Sequence, residues 1–103
     1  MKQYDLHYFA AASDNDIQLL LVLQTDLIDL GAIRVVAPCY FEDRYGPRID
    51  RLNPIFDFNG KSYLVAIQEL LSITEPQLGP KAGTAPQVDD DIKRALDFLF
   101  SGF

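Results

Sequence analysis

Residues 89–103, DDDIKRALDFLFSGF, decide how the rest of the chain is read. Ile92, Ala95, Leu96 and Leu99, with Val88 just ahead of them, recur at helical spacing and form one apolar stripe. Pro86 suits the start of this helix, where its missing N–H is not needed. Thr84 is the nearby residue whose side-chain oxygen could cap it. Asp89, Asp90 and Asp91 fall at the positive end of the helix dipole, and Lys93 and Arg94 lie further along. The stripe needs a sheet or a second helix to pack on. Phe98, Phe100 and Phe103 do not all fit it, and an aromatic-rich terminus is either tied down or holds a partner. The simplest reading is a C-terminal helix docked on a sheet. The three aspartates are not a metal site, because consecutive helical residues point in different directions.

Upstream, the chain reads as strands. Residues 3–9 alternate, with Tyr4, Leu6 and Tyr8 on one side and Asp5, His7 and Phe9 on the other. His7, the only histidine, reads as a half-exposed strand residue, since no nucleophile or carboxylate set accompanies it. Residues 10–16 form a small polar connection. Residues 17–24 (IQLLLVLQ) read as a central strand, apolar on both faces, with a helix as the alternative for so Leu-rich a run. Residues 25–31 (TDLIDLG) are unusually apolar for a loop: either a short helical turn capping the barrel or a surface that meets a partner.

Residues 33–39 (IRVVAPC) are β-branched and read as a strand that ends, bulges or lies at an edge at Pro38. Cys39 reads as a small buried hydrophobe. Residues 41–53 carry Arg44, Arg48 and Arg51 among Glu42, Asp43 and Asp50, a solvated loop whose charges largely cancel. Asn59-Gly60 between two β-rich runs predicts a hairpin, because both residues tolerate positive φ. Residues 69–73 continue the sheet after a bend. Residues 74–86 hold three prolines and two glycines and read as a long surface connection. No repeat, phosphate-binding glycine loop or metal-ligand spacing is visible.

A chain of 103 residues suits one domain, burying roughly 65% of its unfolded surface. One cysteine excludes an internal disulfide and a cysteine-built zinc site. The start lacks the long apolar region of a signal peptide, and no run is long enough to span a bilayer. Nine basic against fifteen acidic residues, a formal charge of −6, argue against affinity carried by phosphate contacts.

Gln24-Thr25-Asp26-Leu27-Ile28-Asp29, followed by Arg34-Val35-Val36-Ala37-Pro38, resembles the CcdB family of plasmid-maintenance toxins. Asp91-Ile92-Lys93-x-Ala95 through Phe100-x-Gly102 is similar to that family's C-terminal helix and tail. Order and spacing agree over nearly the whole chain, with small shifts in loops. The resemblance implies a mainly β fold, an SH3-like barrel or curved antiparallel sheet with a C-terminal α-helix. It further implies a cytoplasmic homodimer with no catalysis, no cofactor, no membrane contact and no nucleic-acid binding of its own. Family members bind the A subunit of DNA gyrase and trap the enzyme on cleaved DNA. A cognate antitoxin wraps the toxin with a disordered segment and, with it, represses their operon.

The topoisomerase-binding positions implied by the resemblance are Leu27, Ile28, Asp97, Phe100, Ser101, Gly102 and Phe103. Ile28, Phe100 and Gly102 match the family, and Leu27 is a conservative replacement. The family tail Trp-Gly-Ile is here Ser101-Gly102-Phe103, and Ser101 cannot stack on an arginine as tryptophan does. Asp97 stands where the family has a neutral asparagine. The rival reading is an endoribonuclease of the MazF type, which has a similar barrel but needs acid–base groups and a basic RNA surface. A third is a toxin-like module that keeps antitoxin binding and operon autoregulation without poisoning gyrase.

Overall fold

The computed structural model of the chain describes residues 2–9 and 17–102. The polar connection expected at residues 10–16 and the terminal Phe103 lie outside the described residues. The spine is a nine-residue strand, β3 (Ile33–Phe41), whose β-branched residues favour extended backbone. On one edge it pairs antiparallel with β2 (Ile17–Val22). Its other edge is shared: β6 (Leu71–Thr74) covers residues 33–36 and β5 (Lys61–Val65) covers residues 39–41.

Pro38 corrects the expectation of a strand end, bulge or sheet edge. It lies buried inside β3, opposite Leu20, with its carbonyl accepting from Ala66 N at 3.0 Å. Its ring nitrogen falls at the handover from β6 to β5, where the ladder requires no donor. The hairpin of β4 (Ile55–Phe58) and β5 forms at Asn59-Gly60 as predicted, with φ of 52° and 78°.

Residues 74–86 are not the surface connection that their composition suggests. After a 3-10 turn at Glu75–Gln77 they form β7 (Leu78–Thr84), which pairs with β1 (Asp5–Phe9) through an irregular register. The glycines permit close approach here. A Cβ on Gly79 would lie 2.8 Å from the Tyr8 carbonyl oxygen, and one on Gly83 would lie 2.5 Å from the Phe58 ring. β7 therefore meets β4 at Phe58, and the sheet, in the order β4-β5-β3-β2-β1-β7, curls into an antiparallel half-barrel. β7 also buries His7, which is 8% exposed rather than half-exposed. Its Nδ1 donates to the Gly79 carbonyl at 3.1 Å, and its Nε2 has no partner among the described residues.

β2 is covered on both faces, as its composition requires. Leu19 and Leu21 join Leu6, Ala37, Cys39, Phe56, Val65 and Ile67 in the larger core cluster. Leu20 and Val22 join Val36 and Ile73 in a second cluster on the opposite face. Burial pushes the Cys39 thiol pKa up, so it stays an inert hydrophobe.

The larger cluster is closed by α1 (Asp89–Ser101), whose Ile92 and Ala95 are buried with Val88 just ahead of them, and whose Leu96 and Leu99 pack beside them. Pro86 opens a 3-10 turn (Pro86–Val88) rather than α1 itself. Thr84 does not cap the helix; its hydroxyl donates to the Tyr4 carbonyl at 3.2 Å. Tyr4 instead ties the helix start down. Held at φ 67°, it donates its N–H to Val22 O and its hydroxyl to Asp89 Oδ1 at 2.5 Å, and its carbonyl also accepts from Ala85 N. The Tyr4 hydroxyl and then Lys93 hold the Asp89 carboxyl below its ordinary range, while burial and Asp89 push the phenol up. Among the described residues no helix is long and apolar enough to cross a membrane.

Because Ile92 is 1% exposed in the larger cluster, Ile92→Asp removes an apolar contact and buries a charge together. The expected loss is at least about 3 kcal/mol in urea unfolding. Wild-type stability in that variant would mean that the helix is not docked on the sheet.

Candidate functional site

The apolar loop between β2 and β3 forms no helical turn, contrary to one of the two readings of its sequence. It is a run of tight turns held by its own polar groups. The Thr25 hydroxyl accepts from Leu27 N at 3.3 Å, and Asp29 Oδ1 accepts from Gly31 N at 2.8 Å, with Gly31 at φ 66°. Asp26 Oδ1 accepts from Gln3 N, and Gln24 Oε1 from Val35 N. Arg34 staples the far end, donating to the Gly31 and Ile33 carbonyls and pairing with Glu75 at 2.9 Å. This bonding leaves the apolar side chains to face outward. Leu27 is 93% exposed and Ile28 54%.

Ile28 and Leu30 form one wall of a cleft of about 350 Å³, and Leu96 and Phe100 of α1 form the other. Leu23, Val35 and Leu70 also line it, beside Gln24 and Thr25. Leu96 and Phe100 share a helix face at i, i+4 spacing, and Phe100 stands 73% exposed. Two of the residues singled out in the sequence, Ile28 and Phe100, are thus brought together. Leu27 projects beside the cleft without lining it; exposed Ile33 shares a strand face with Val35 of the cleft, whereas exposed Leu71 pairs with Val36 on the other face of the sheet. The sequence reading did not assign Leu30, Val35, Leu70 or Leu96 to this site. Leu30 was legible as a leucine out of place in a loop, whereas Val35 and Leu70 carry no such signal.

Among the described residues, the other sequence-assigned positions, Asp97, Ser101 and Gly102, do not line the cleft. Ser101 is the exposed last residue of α1. Gly102 ends the helix in the left-handed conformation, φ 77°, donating its N–H to Phe98 O at 3.0 Å. Any other residue would be strained there, although a Cβ would meet nothing within 4 Å. Asp97 faces a second cleft, of about 480 Å³, between α1 and residues 48–55.

That second cleft gathers Arg48, Arg51 and Arg94 with Asp50, Asp91 and Asp97. Arg51 lays its guanidinium 4.0 Å above the Phe98 ring. Buried Asn53 organises the arginine loop, accepting from Ile49 N and donating to Leu52 O, Val65 O and Gln68 Oε1. The hydroxyls of Tyr40 and Tyr45 both donate to the Glu69 carboxylate. Burial and Glu69 push the Tyr45 phenol up to about 12.

Among the described residues no group of histidine, cysteine or acidic side chains could hold a metal ion. Among the described residues His7 bonds only to a main-chain carbonyl. The cleft between the loop and α1 is mainly apolar, and the second cleft is charged.

A family model described as CcdB protein matches residues 3–102. No curated protein matches. Among solved structures, an endoribonuclease from a mycobacterial species superposes with a TM-score of 0.72 at 14% identity, over 94% of this chain and 88% of that one. An endoribonuclease in complex with its cognate antitoxin, also mycobacterial, gives 0.72 at 12% identity, over 94% and 91%. At such identities these two structures share the fold.

Phe100 contributes exposed area and Leu96 contributes packing. Phe100→Ala is expected to change unfolding free energy by no more than about 0.5 kcal/mol, and Leu96→Ala to cost more than about 1 kcal/mol. Equal losses in urea titrations would place the Phe100 ring in the core.

Proposed function

The chain belongs to the CcdB family, and from that premise we propose that it is the toxin of a type II toxin–antitoxin pair. It acts by binding the A subunit of DNA gyrase, or a related type II topoisomerase, and not by catalysis. The observation that carries this reading is the cleft between the tied loop and the end of α1, with Ile28 and Phe100 on its two walls. Exposed aromatic and aliphatic anchors beside a preformed pocket are the usual centre of a binding surface. The loop is already ordered by its side-chain bonds, so little conformational entropy is lost when a partner docks.

A cognate antitoxin neutralises the toxin through a disordered segment, a reading supported by the similar mycobacterial structure described with its antitoxin. The toxin is a cytoplasmic homodimer, in which exposed Ile33, on the same strand face as Val35 of the cleft, offers apolar area for a second copy, and the two-fold axis duplicates the site. Leu27, Asp97, Ser101, Gly102 and Phe103 complete the proposed contact set. Ser101 supplies less contact than the family tryptophan, and weaker trapping follows from it. A second reading, an endoribonuclease, is favoured by the fold shared with the two mycobacterial enzymes.

Sedimentation at micromolar concentration is expected to give about twice the chain mass of 11.6 kDa; a clean monomer well above that concentration removes the dimer from the account.

Supercoiling and cleavage assays on gyrase, run beside an RNA-cleavage assay, separate the two functions. Inhibited supercoiling with intact RNA is the expected result. Deleting residues 101–103 is expected to abolish toxicity while leaving antitoxin binding, and Ser101→Trp to strengthen trapping. RNA cleavage by the purified chain, with gyrase untouched, would install the endoribonuclease reading instead.

A further inference from the structure

The bonding between β2 and β3 changes where the two strands meet the loop. Leu23 N donates to Val35 O at 2.9 Å, one of the two bonds that an antiparallel pair exchanges. The return bond is replaced. Leu23 O accepts from Gln3 Nε2 at 2.9 Å, and Val35 N donates to Gln24 Oε1 at 2.7 Å.

That last contact fixes the Gln24 amide. A main-chain N–H can meet only the oxygen end of a glutamine, so the nitrogen end is assigned by the bond itself. Nε2 therefore holds two N–H donors in a set position beside the main chain of β3. It has no hydrogen-bond partner among the described residues. It is not among their buried unpaired side-chain atoms either, so it reaches solvent.

Gln24 sits on the rim between two depressions. It lines the apolar cleft together with Val35, Ile28 and Phe100. It also lines a cleft of about 400 Å³ on the other side of the loop, beside Gln3 and Asp26. A partner that engages Ile28 from either side covers this rim. Thr25 is the other polar residue of the apolar cleft, and its hydroxyl already accepts from Leu27 N. A hydroxyl can turn to suit a partner, whereas the Gln24 donors are pinned.

We propose that Gln24 is a specificity-determining residue of the Ile28–Phe100 cleft, its Nε2 donating to a carbonyl oxygen of the bound topoisomerase subunit. The inference rests on the reading that this cleft binds such a subunit. Apolar pockets take their selectivity from a few placed polar groups. A donor stripped of water without an acceptor weakens binding, so the amide rejects a segment that brings only apolar atoms. The matching acceptor is uncharged. Among the described residues no lysine or arginine lines the apolar cleft, and a carboxylate desolvated there would have no cation to meet it.

The test is calorimetric titration of the gyrase A subunit with the intact chain and two variants. Gln24→Glu keeps an oxygen for Val35 N and replaces both donors by an acceptor. It is expected to keep the melting temperature and to bind about ten-fold or more weakly. The loss is expected to persist at high salt, which screens general charge repulsion but not a contact at short range. Phe100→Ala, run in parallel, reports on the cleft itself and is expected to weaken binding as well. In the wild-type chain the Gln24 side-chain N–H resonances are expected to shift on saturation with the subunit, and these resonances alone decide if Gln24→Glu melts lower. Unchanged affinity of Gln24→Glu beside a weakened Phe100→Ala would overturn the inference and leave the function of the cleft standing. A loss that high salt removes, or Gln24 resonances that stay in place in a saturated complex, would do the same. Failure of the wild-type chain to bind the subunit would overturn that function, and the inference with it.

Discussion

The contact on which the rest of the molecule depends is the seating of α1's apolar stripe on the concave face of the sheet. Val88, Ile92 and Ala95 enter a cluster built from five strands, and burying one such aliphatic side chain contributes about 2 kcal/mol. An isolated thirteen-residue helix is marginal in water, so the sheet makes the helix as much as the helix covers the sheet. Tyr4 fixes the phase of this docking. Its bonds to Val22, Ala85 and Asp89 join β2, the exit of β7 and the first turn of α1 at one point. With its start held there, the helix brings Leu96 and Phe100 opposite the loop at Ile28.

The surface around that meeting point explains why so much apolar area stays outside. Leu27, Ile28, Leu30 and Phe100 are not failed core residues, since the loop beneath them is bonded through Thr25, Asp29, Gln24 and Arg34. A loop that bonds its polar groups internally is left with apolar side chains, Leu27 and Ile28 foremost, turned to solvent. Such a surface is already ordered and costs little to dock. The opposite side of the helix, through Asp91, Arg94 and Asp97, is of another character, charged and open. Asp97 and Phe100, assigned together from the sequence, sit about 60° apart around the helix and serve different clefts.

What could be read from the sequence was what depends on local pattern. The stripe of α1 is visible because its spacing is helical, and the hairpin because Asn59-Gly60 tolerates positive φ at both positions. β7 was hidden because its glycines and prolines spell a loop, whereas in the fold they allow β7 to lie against Tyr8 and Phe58. Missing β7 led to misreading His7, whose burial is β7's doing. Pro38 misled for a similar reason: its tolerance depends on where two other strands end and begin. For the site, Ile28 and Phe100 were marked by resemblance and by their odd placement in a loop and a tail. Val35 and Leu70 could not be, because only the long-range fold sets them beside the loop.

The most direct test is the hydrogen-exchange footprint of the chain mixed with the A subunit of gyrase. The account predicts slowed exchange in residues 25–31 and in the last two turns of α1, with the β4 edge unchanged. Absence of any footprint at saturating subunit, or protection confined to other strands, would contradict it.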